Sequence, residues 1–406
     1  MTIHILGRQP ALGLAELESL YGPARLTSVQ PEAAVLDITD PKQPSPDRLG
    51  GTIKTAELLS RLETSDWNKV IDYLVKSLPK HVGHFPDGKI KLGISVIGFD
   101  VNVKSINAAG LKLKKSIKNT GRSVRVVPNT EPVLSSAQTM HNNLASGLGH
   151  ELVLVRDGNS TLVGKVNWVQ DINSYTKRDR SRPKRDTRVG MLPPKLAQII
   201  INLAGKHVLP KEAQIDPDHP VNKEKRQSRL LDPFCGTGVI LQEAALMNYA
   251  VYGTDLDERM IRYTRDNLNW LKDTTRMRFD WYLHEADATD TQWQQPFDLV
   301  ATETYLGRPF SALPSPEVLG DVIQDVNTIL KKFLQNIADQ TASGFRMCVA
   351  VPAWKTGEKF KHLPLIDCLG ELGYNRVSFR HAATKDLIYY RPGQIVAREL
   401  LVLTRK

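Results

Sequence analysis

The chain has 406 residues, 41% hydrophobic and 24% charged, a balance that suits two or three domains with buried cores and excludes disordered, collagenous and coiled-coil chains. No window reaches the roughly 18 consecutive apolar residues of a membrane-spanning helix, and the N-terminal MTIHILGRQPALGLAELESLYG lacks the basic and apolar regions of a signal peptide. The net charge is +10, and two windows hold more than all of it: Lys104 to Arg125 carries seven bases and no acid, and Lys177 to Arg188 seven bases against Asp179 and Asp186.

In chain order, Ile3–Leu6 reads as a strand, Ala11–Leu20 as a helix, Ala33–Ile38 as a strand and Ala56–Leu62 as a helix, a small α+β unit without a chemical motif. A second α+β unit follows. Trp67–Leu78 has helical periodicity and Lys91–Val96 is strand-like. Ser105–Lys118 predicts a helix with Ile106, Leu111, Leu113 and Ile117 on its apolar face and lysines elsewhere. Ser123–Val127, Glu151–Arg156 and Thr161–Val169 read as strands, the last two joined by the hairpin turn Asp157-Gly158-Asn159-Ser160. Asn173 to Gly190 is polar and basic, as a linker would be. Two such concentrations of positive charge suit a polyanion better than a merely solvated face. The candidates to hold a nucleic-acid backbone are Lys112, Lys114, Lys115, Lys118 and Arg122, with Arg178, Arg180, Arg182, Lys184 and Arg185.

From Pro193 onward helices and apolar strands alternate. The helices are Pro193–Ala204, Val239–Met247, Glu258–Leu271 and one within 316–338. The strands begin at Arg229–Leu231 and continue through Ala250–Thr254, Trp281–Glu285, Phe297–Ala301 and Arg346–Val351. Asn375–Arg380 and Arg398–Thr404 read as antiparallel edge strands. This alternation implies a doubly wound sheet whose ligand lies at the carboxyl ends of its strands.

The chemistry gathers there. Leu231-Asp232-Pro233-Phe234-Cys235-Gly236-Thr237-Gly238 joins a strand to a helix. Gly236 and Gly238 allow a sharp turn and close approach of a ligand, and the helix start suits an anionic group. The spacing is neither G-x-G-x-x-G nor a phosphate-binding loop. Asp255, just past the second strand, is positioned for ribose hydroxyls, leaving Asp257 to cap the next helix. Asp287, at the end of the third strand, could accept from an exocyclic amine. Cys235, Cys348 and Cys368 are too few and scattered for a disulfide framework or a zinc site, so a cytosolic, metal-free protein is expected.

These motifs resemble the S-adenosylmethionine-dependent RNA methyltransferases that carry a THUMP domain, and more narrowly the tRNA guanosine-N2 methyltransferases. The resemblance implies a Rossmann-like, seven-stranded class I methyltransferase domain preceded by α+β ferredoxin-like and THUMP domains. Residues 1–65 would be the ferredoxin-like part, 66–172 the RNA-binding THUMP domain, 173–190 a basic linker and 191–406 the methyltransferase. It implies S-adenosylmethionine as cofactor, held by Asp232, Phe234, Gly236, Gly238, Asp255, Leu256, Asp287 and Ala288. Arg182-Pro183 through Arg185-Asp186 and Val189-Gly190-Met191-Leu192-Pro193-Pro194-Lys195-Leu196 resemble the family's segment beside the cofactor, which adds Pro194. The implied partner is tRNA, modified to N2-methylguanosine at position 10, and the resemblance also allows for a small activating protein subunit.

The chain departs from the family pattern after the fourth strand. An acid or Asn followed by Pro-Pro-Tyr/Phe is usual; Glu303-Thr304-Tyr305 stands here, with Leu306-Gly307-Arg308-Pro309-Phe310 following. Glu303 is the candidate acceptor for the target amine and Tyr305 the candidate stacking ring. Two rival readings keep the cofactor motifs: a non-catalytic RNA-binding protein on a methyltransferase scaffold, and an adenine or cytosine amino-methyltransferase acting on DNA or ribosomal RNA.

Overall fold

The computed structural model describes residues 1–37, 45–85, 87–147, 149–186, 191–205, 227–310 and 312–406. Ile38, Arg188, Val189 and Gly190, which figure in the readings above, lie outside the described residues. The chain divides into two compact units. The first comprises Met1–Leu14, Gly22–Asp47 and Gly51–Ser174; the second comprises Ala15–Tyr21, Arg48–Gly50 and Tyr175–Lys406.

The first unit is built on one eight-stranded sheet. Its elements are β1 (Thr2–Leu6), the start of α1 (Pro10–Tyr21), β2 (Leu26–Gln30), β3 (Ala33–Leu36), β4 (Thr52–Leu62), α2 (Trp67–Ser77), β5 (Ile90–Ile97), α3 (Val103–Lys118), β6 (Val124–Val126), α4 (Ser136–His141), β7 (Gly149–Asp157) and β8 (Ser160–Val169). The strand order is β2-β3-β1-β4-β8-β7-β5-β6, so residues 1–65 and 66–172 share a single sheet. Asp66 and Asn102 cap α2 and α3 by accepting from the amides of Lys69 and Ser105. Val70, Ile71 and Leu74 of α2 and Ile106, Leu113 and Ile117 of α3 form one core with Leu92 and Ile94 of β5.

Two expectations for this unit need correction. The helix expected at Ala56–Leu62 is the strand β4, which pairs antiparallel with β1 on one side and β8 on the other. Hydrogen bonding to two neighbouring strands outweighs a spacing of apolar residues that also fits a helix turn. Leu111 does not belong to the apolar face of α3. It is 62% exposed, and Ala109 and Gly110 complete the buried stripe instead.

The second unit holds α5 (Ile172–Arg180) from Tyr175 onward, α6 (Pro194–Ala204), β9 (Arg229–Asp232), α7 (Val239–Leu246), β10 (Ala250–Asp255), α8 (Glu258–Thr275), β11 (Trp281–Glu285), β12 (Leu299–Glu303), α9 (Pro316–Asp339), β13 (Arg346–Thr356), β14 (Lys359–Lys361), β15 (Tyr374–Arg376), β16 (Ile388–Tyr389) and β17 (Val396–Arg405). Seven strands run in the order β11-β10-β9-β12-β13-β17-β15, while β14 joins β13 and β16 joins β17. The strands from β11 to β13 are parallel, and β17 inserts antiparallel against β13. This is a Rossmann-like α/β sheet with an antiparallel end. The long helix α9 packs onto it through Leu319, Val326, Leu330, Phe333 and Ile337.

Here too the structure corrects the sequence reading. β17 is not an edge strand, because β13 and β15 flank it; its apolar run from Leu400 to Leu403 is what a strand with two neighbours needs. The strand expected at Asn375–Arg380 shortens to Tyr374–Arg376. The stretch expected as a linker opens with α5. Tyr175 holds that helix down, because it is buried and donates its hydroxyl to Gln198.

Candidate active site

The carboxyl ends of β9, β10, β11 and β12 surround an open cavity of about 720 Å³, the place where a parallel doubly wound sheet leaves its loops free to bind. Its walls include Asp232, Phe234, Cys235 and Gly236 after β9, Asp255 to Asp257 after β10, and Ala286 to Thr289 after β11. Glu303 to Pro309 come from the end of β12 and the loop after it, and Leu192, Thr328 and Lys332 also line the cavity.

The loop after β9 is fixed from three directions. Gly236 and Gly238 take φ of 52° and 79°, left-handed values that favour glycine. A Cβ on Gly238 would come within 2.8 Å of the Thr264 side chain. Thr264 in turn donates its hydroxyl to the Gly236 carbonyl at 2.8 Å, and Asn267 donates to the Thr237 carbonyl at 2.8 Å. Helix α8 therefore braces the glycine turn. Gly238 caps α7 but does not line the cavity; its role is the backbone turn.

Asp255 accepts from the Gly236 amide at 2.9 Å and from the Asp257 amide at 3.0 Å. A carboxylate has about four acceptor positions, so acceptor capacity remains for a diol. Burial, the dominant influence, raises the Asp255 carboxyl above its ordinary value. Asp257 caps α8 by accepting from the Arg259 amide. Asp287 is half-buried and accepts from the Thr289 amide at 2.8 Å. Leu256, 68% exposed, lines the same cavity with an apolar surface open to a flat ligand. Ala288 is buried in the same wall. Phe234 packs edge-on against Phe333 of α9, with ring centroids 5.2 Å apart.

Asp232 is almost wholly buried and accepts from the Thr302 hydroxyl at 2.6 Å. Burial pushes its carboxyl up to about 7, with the nearby charges of Asp255 and Glu303 adding to the effect and the bonds from Thr302 and the Phe234 amide opposing it. Burial also raises the Cys235 thiol well above its usual range, which argues against a thiolate nucleophile.

Glu303, the last residue of β12, accepts from the Arg398 Nε at 2.8 Å; both side chains are largely buried. Arg398 comes from β17 and reaches Glu303 past β13, where Glu303 pairs with Ala350 and Arg398 with Pro352. Tyr305 is 45% exposed at the rim. Gly307, at φ 85°, turns the loop back against α9 and Trp354. The arrangement offers carboxylate acceptors, the guanidinium of Arg398 behind Glu303 and a glycine turn, with an exposed ring at the mouth.

The sequence-derived residues are not all brought together. Pro194 starts α6 and is buried outside the cavity lining, where Leu192 stands instead. Lys112, Lys115 and Lys118 are exposed on α3, whereas Lys114 is half-buried and Arg122 donates to the carbonyls of Val82 and Gly88. Arg178 is drawn inward to the buried Glu243 at 2.7 Å, and Arg182 is 3% exposed. Neither presents its charge to solvent as a backbone clamp would. Arg180 and Arg185 remain exposed, and Lys184 lies 3.7 Å from Asp266. Sequence reasoning missed Arg398, Thr302 and Lys332. The one available signal for Arg398 was an Arg-Glu pair inside the otherwise apolar run Val396–Leu403.

A methyltransferase domain family matches residues 224–386. A tRNA (guanine(10)-N2)-dimethyltransferase of Methanothermobacter thermautotrophicus is 32% identical over 163 residues, 40% of this chain and 39% of the relative. Its counterpart in Methanocaldococcus jannaschii is 31% identical over 110 residues, 27% of this chain and 26% of the relative. The matched stretch thus spans about two fifths or less of these relatives. Among solved structures, TrmN from Thermus thermophilus aligns with 100% of this chain and 99% of its own at a TM-score of 0.51 and 16% identity, a likeness of fold.

Proposed function

We propose that this chain is an S-adenosylmethionine-dependent tRNA methyltransferase that converts a guanosine, the one at position 10, to N2-methylguanosine. The observation that carries this reading is the set of strand-end carboxylates, Asp232, Asp255, Asp287 and Glu303, gathered on one cavity around a braced glycine turn. The similarity to relatives named tRNA (guanine(10)-N2)-dimethyltransferase supports the choice of base and RNA.

The residues present fit the cofactor. Asp255 keeps acceptor capacity for the two ribose hydroxyls, Asp287 can accept from the adenine amine, and Leu256 and Ala288 offer apolar contact. Phe234, Gly236 and the start of α7 form the remaining wall. When bound, S-adenosylmethionine supplies a methyl group on a sulfonium, whose positive charge suits a cavity rich in carboxylates. Glu303 accepts a hydrogen bond from the guanine amino group and takes the proton that leaves as N–H gives way to N–CH₃. Arg398 fixes the orientation of Glu303 by holding one oxygen, and Tyr305 offers a ring face to the flipped base. Positioning and desolvation contribute the rest.

The proposal extends to the first unit. Residues 1–65 and 66–172 would be the ferredoxin-like and THUMP parts, reading RNA through its phosphates by way of Lys112, Lys115 and Lys118. Residues 173–190 would connect them to the methyltransferase at 191–406. A cytoplasmic site of action follows from a tRNA substrate, and a small activating subunit is compatible with the same reading.

A binding-only role draws support from one feature, the engagement of Glu303 by Arg398 in a loop without the family's prolines. Incubating the protein with S-adenosylmethionine and unmodified tRNA, then digesting the RNA and identifying the modified nucleoside, separates the two. N2-methylguanosine supports the enzyme; tRNA and cofactor binding without any methylated nucleoside supports the binder.

A further inference from the structure

We infer that a basic, aromatic hairpin at the carboxyl rim of the catalytic unit is a second RNA-binding surface, holding the strand that flanks the nucleotide in the cavity. The inference rests on the RNA-methylating reading above.

β13 does not stop at the level of the site. Ala350 pairs with Glu303, yet the strand continues to Thr356, so Lys355 lies about 16 Å farther along at the usual rise per residue. The chain then turns through Gly357-Glu358, with Gly357 at φ 62° as the first position of a two-residue hairpin requires, and returns as β14. The hairpin's base abuts the cavity loop: a Cβ on Gly307 would lie 3.9 Å from the Trp354 ring.

The residues beyond Trp354 have a chemistry that the fold itself does not call for. Lys355 pairs across the hairpin with Phe360, and its ammonium sits 5.0 Å from the Phe360 ring centre and 5.1 Å from that of Tyr390. The two rings meet edge-to-face at 5.5 Å. Arg391 donates to the Tyr389 hydroxyl at 2.7 Å and lies 5.7 Å from its ring. Lys359, Lys361 and Arg391 are exposed, the three rings are half-buried, and Glu358 is the one acid within 355–361 and 389–391. Cations that track a phosphate backbone, set among ring faces that accept bases, are the recurring composition of single-strand binding surfaces.

Lysines on an outer strand also discourage edge-to-edge pairing between copies. That accounts for Lys359 and Lys361, but not for Arg391, which lies outside the strand, nor for three aromatic rings beside it. A polyanion accounts for all of them.

The test compares the wild type with the triple variant Lys359→Ala, Lys361→Ala, Arg391→Ala. It measures tRNA affinity across a potassium chloride series, S-adenosylmethionine affinity by calorimetry, the melting temperature, and single-turnover methylation at sub-saturating tRNA. With three phosphates no longer neutralised, tRNA binding should weaken at least about tenfold at low salt, and the log–log salt slope should flatten by roughly 2 to 3. Cofactor affinity and melting temperature should stay as in the wild type. Charge reversal of the same three residues should weaken tRNA binding further. An unchanged tRNA affinity and salt slope overturns the surface, and so does a variant that only self-associates, which would make the lysines edge protection. If the wild type itself methylates no tRNA, the functional reading fails first; if it does and the triple variant matches it, only the hairpin inference fails.

Discussion

Arg398 donates to Glu303, a carboxylate of the cavity lining and the proposed amine acceptor. The pair can be dissected by a double-mutant cycle. Glu303→Gln keeps the shape and one acceptor oxygen but cannot take a proton, so the single-turnover rate should fall at least about tenfold, or roughly 1.4 kcal/mol of transition-state stabilisation. Arg398→Met should slow the wild type similarly and add little in the Glu303→Gln background, since each acts through the other. Equal losses in both backgrounds would place Arg398 outside the acceptor's function. Asp255→Ala should weaken S-adenosylmethionine binding by about 1–3 kcal/mol in a protein that still folds, checked by calorimetry. Asp232 makes a statement about pH. Its carboxyl is pushed up to about 7 by burial, so the folded state holds a proton that the unfolded chain releases near the ordinary carboxyl value. Stability from this group is complete at low pH and declines as pH rises toward about 7. Asp232→Asn keeps the acceptor for Thr302 and removes that decline. Ligand-free, the variant should gain about 2–4 kcal/mol on the wild type between pH 4 and 8 in urea unfolding; parallel pH curves would show that Asp232 is ionised throughout.

Among the elements, the glycine turn was readable because glycine's φ and the strand–turn–helix order constrain each other, and its bracing by Thr264 and Asn267 was not, because those hydrogen bonds join residues about 30 positions apart. β4 was misread because apolar residues at 56, 58, 59 and 62 fit a helix turn as well as a strand, and only the pairing with β1 and β8 decides. The basic run 177–188 was read by charge alone, which could not reveal that Glu243, 65 positions after Arg178, draws the latter inward. Helix α3 was read more closely, apart from Leu111. Neutralising Lys112, Lys114, Lys115 and Lys118 together should weaken tRNA binding and flatten its salt dependence by roughly 0.7 to 0.9 in slope for each phosphate left without its cation. Cofactor affinity should not move. Because Lys114 is half-buried, most of the effect should come from the exposed Lys112, Lys115 and Lys118, and restoring those three should recover it.

For the molecule as a whole, the alternation of helices and strands after residue 193 was enough to specify the parallel sheet and the end at which its loops gather. What it could not specify was the antiparallel insertion of β17, and with it Arg398, because pairing between strands some 50 residues apart leaves no local signature. The central claim is that the cavity these strands build methylates the amino group of a guanosine in tRNA. It is tested most directly by incubating the wild-type protein with S-adenosylmethionine and two unmodified transcripts of one tRNA, with guanosine or adenosine at position 10, and then analysing the digested nucleosides by mass spectrometry. N2-methylguanosine from the first transcript and no methylated nucleoside from the second is the expected result. A methyl group on adenine or cytosine, or none on either transcript while cofactor and tRNA both bind, would contradict it.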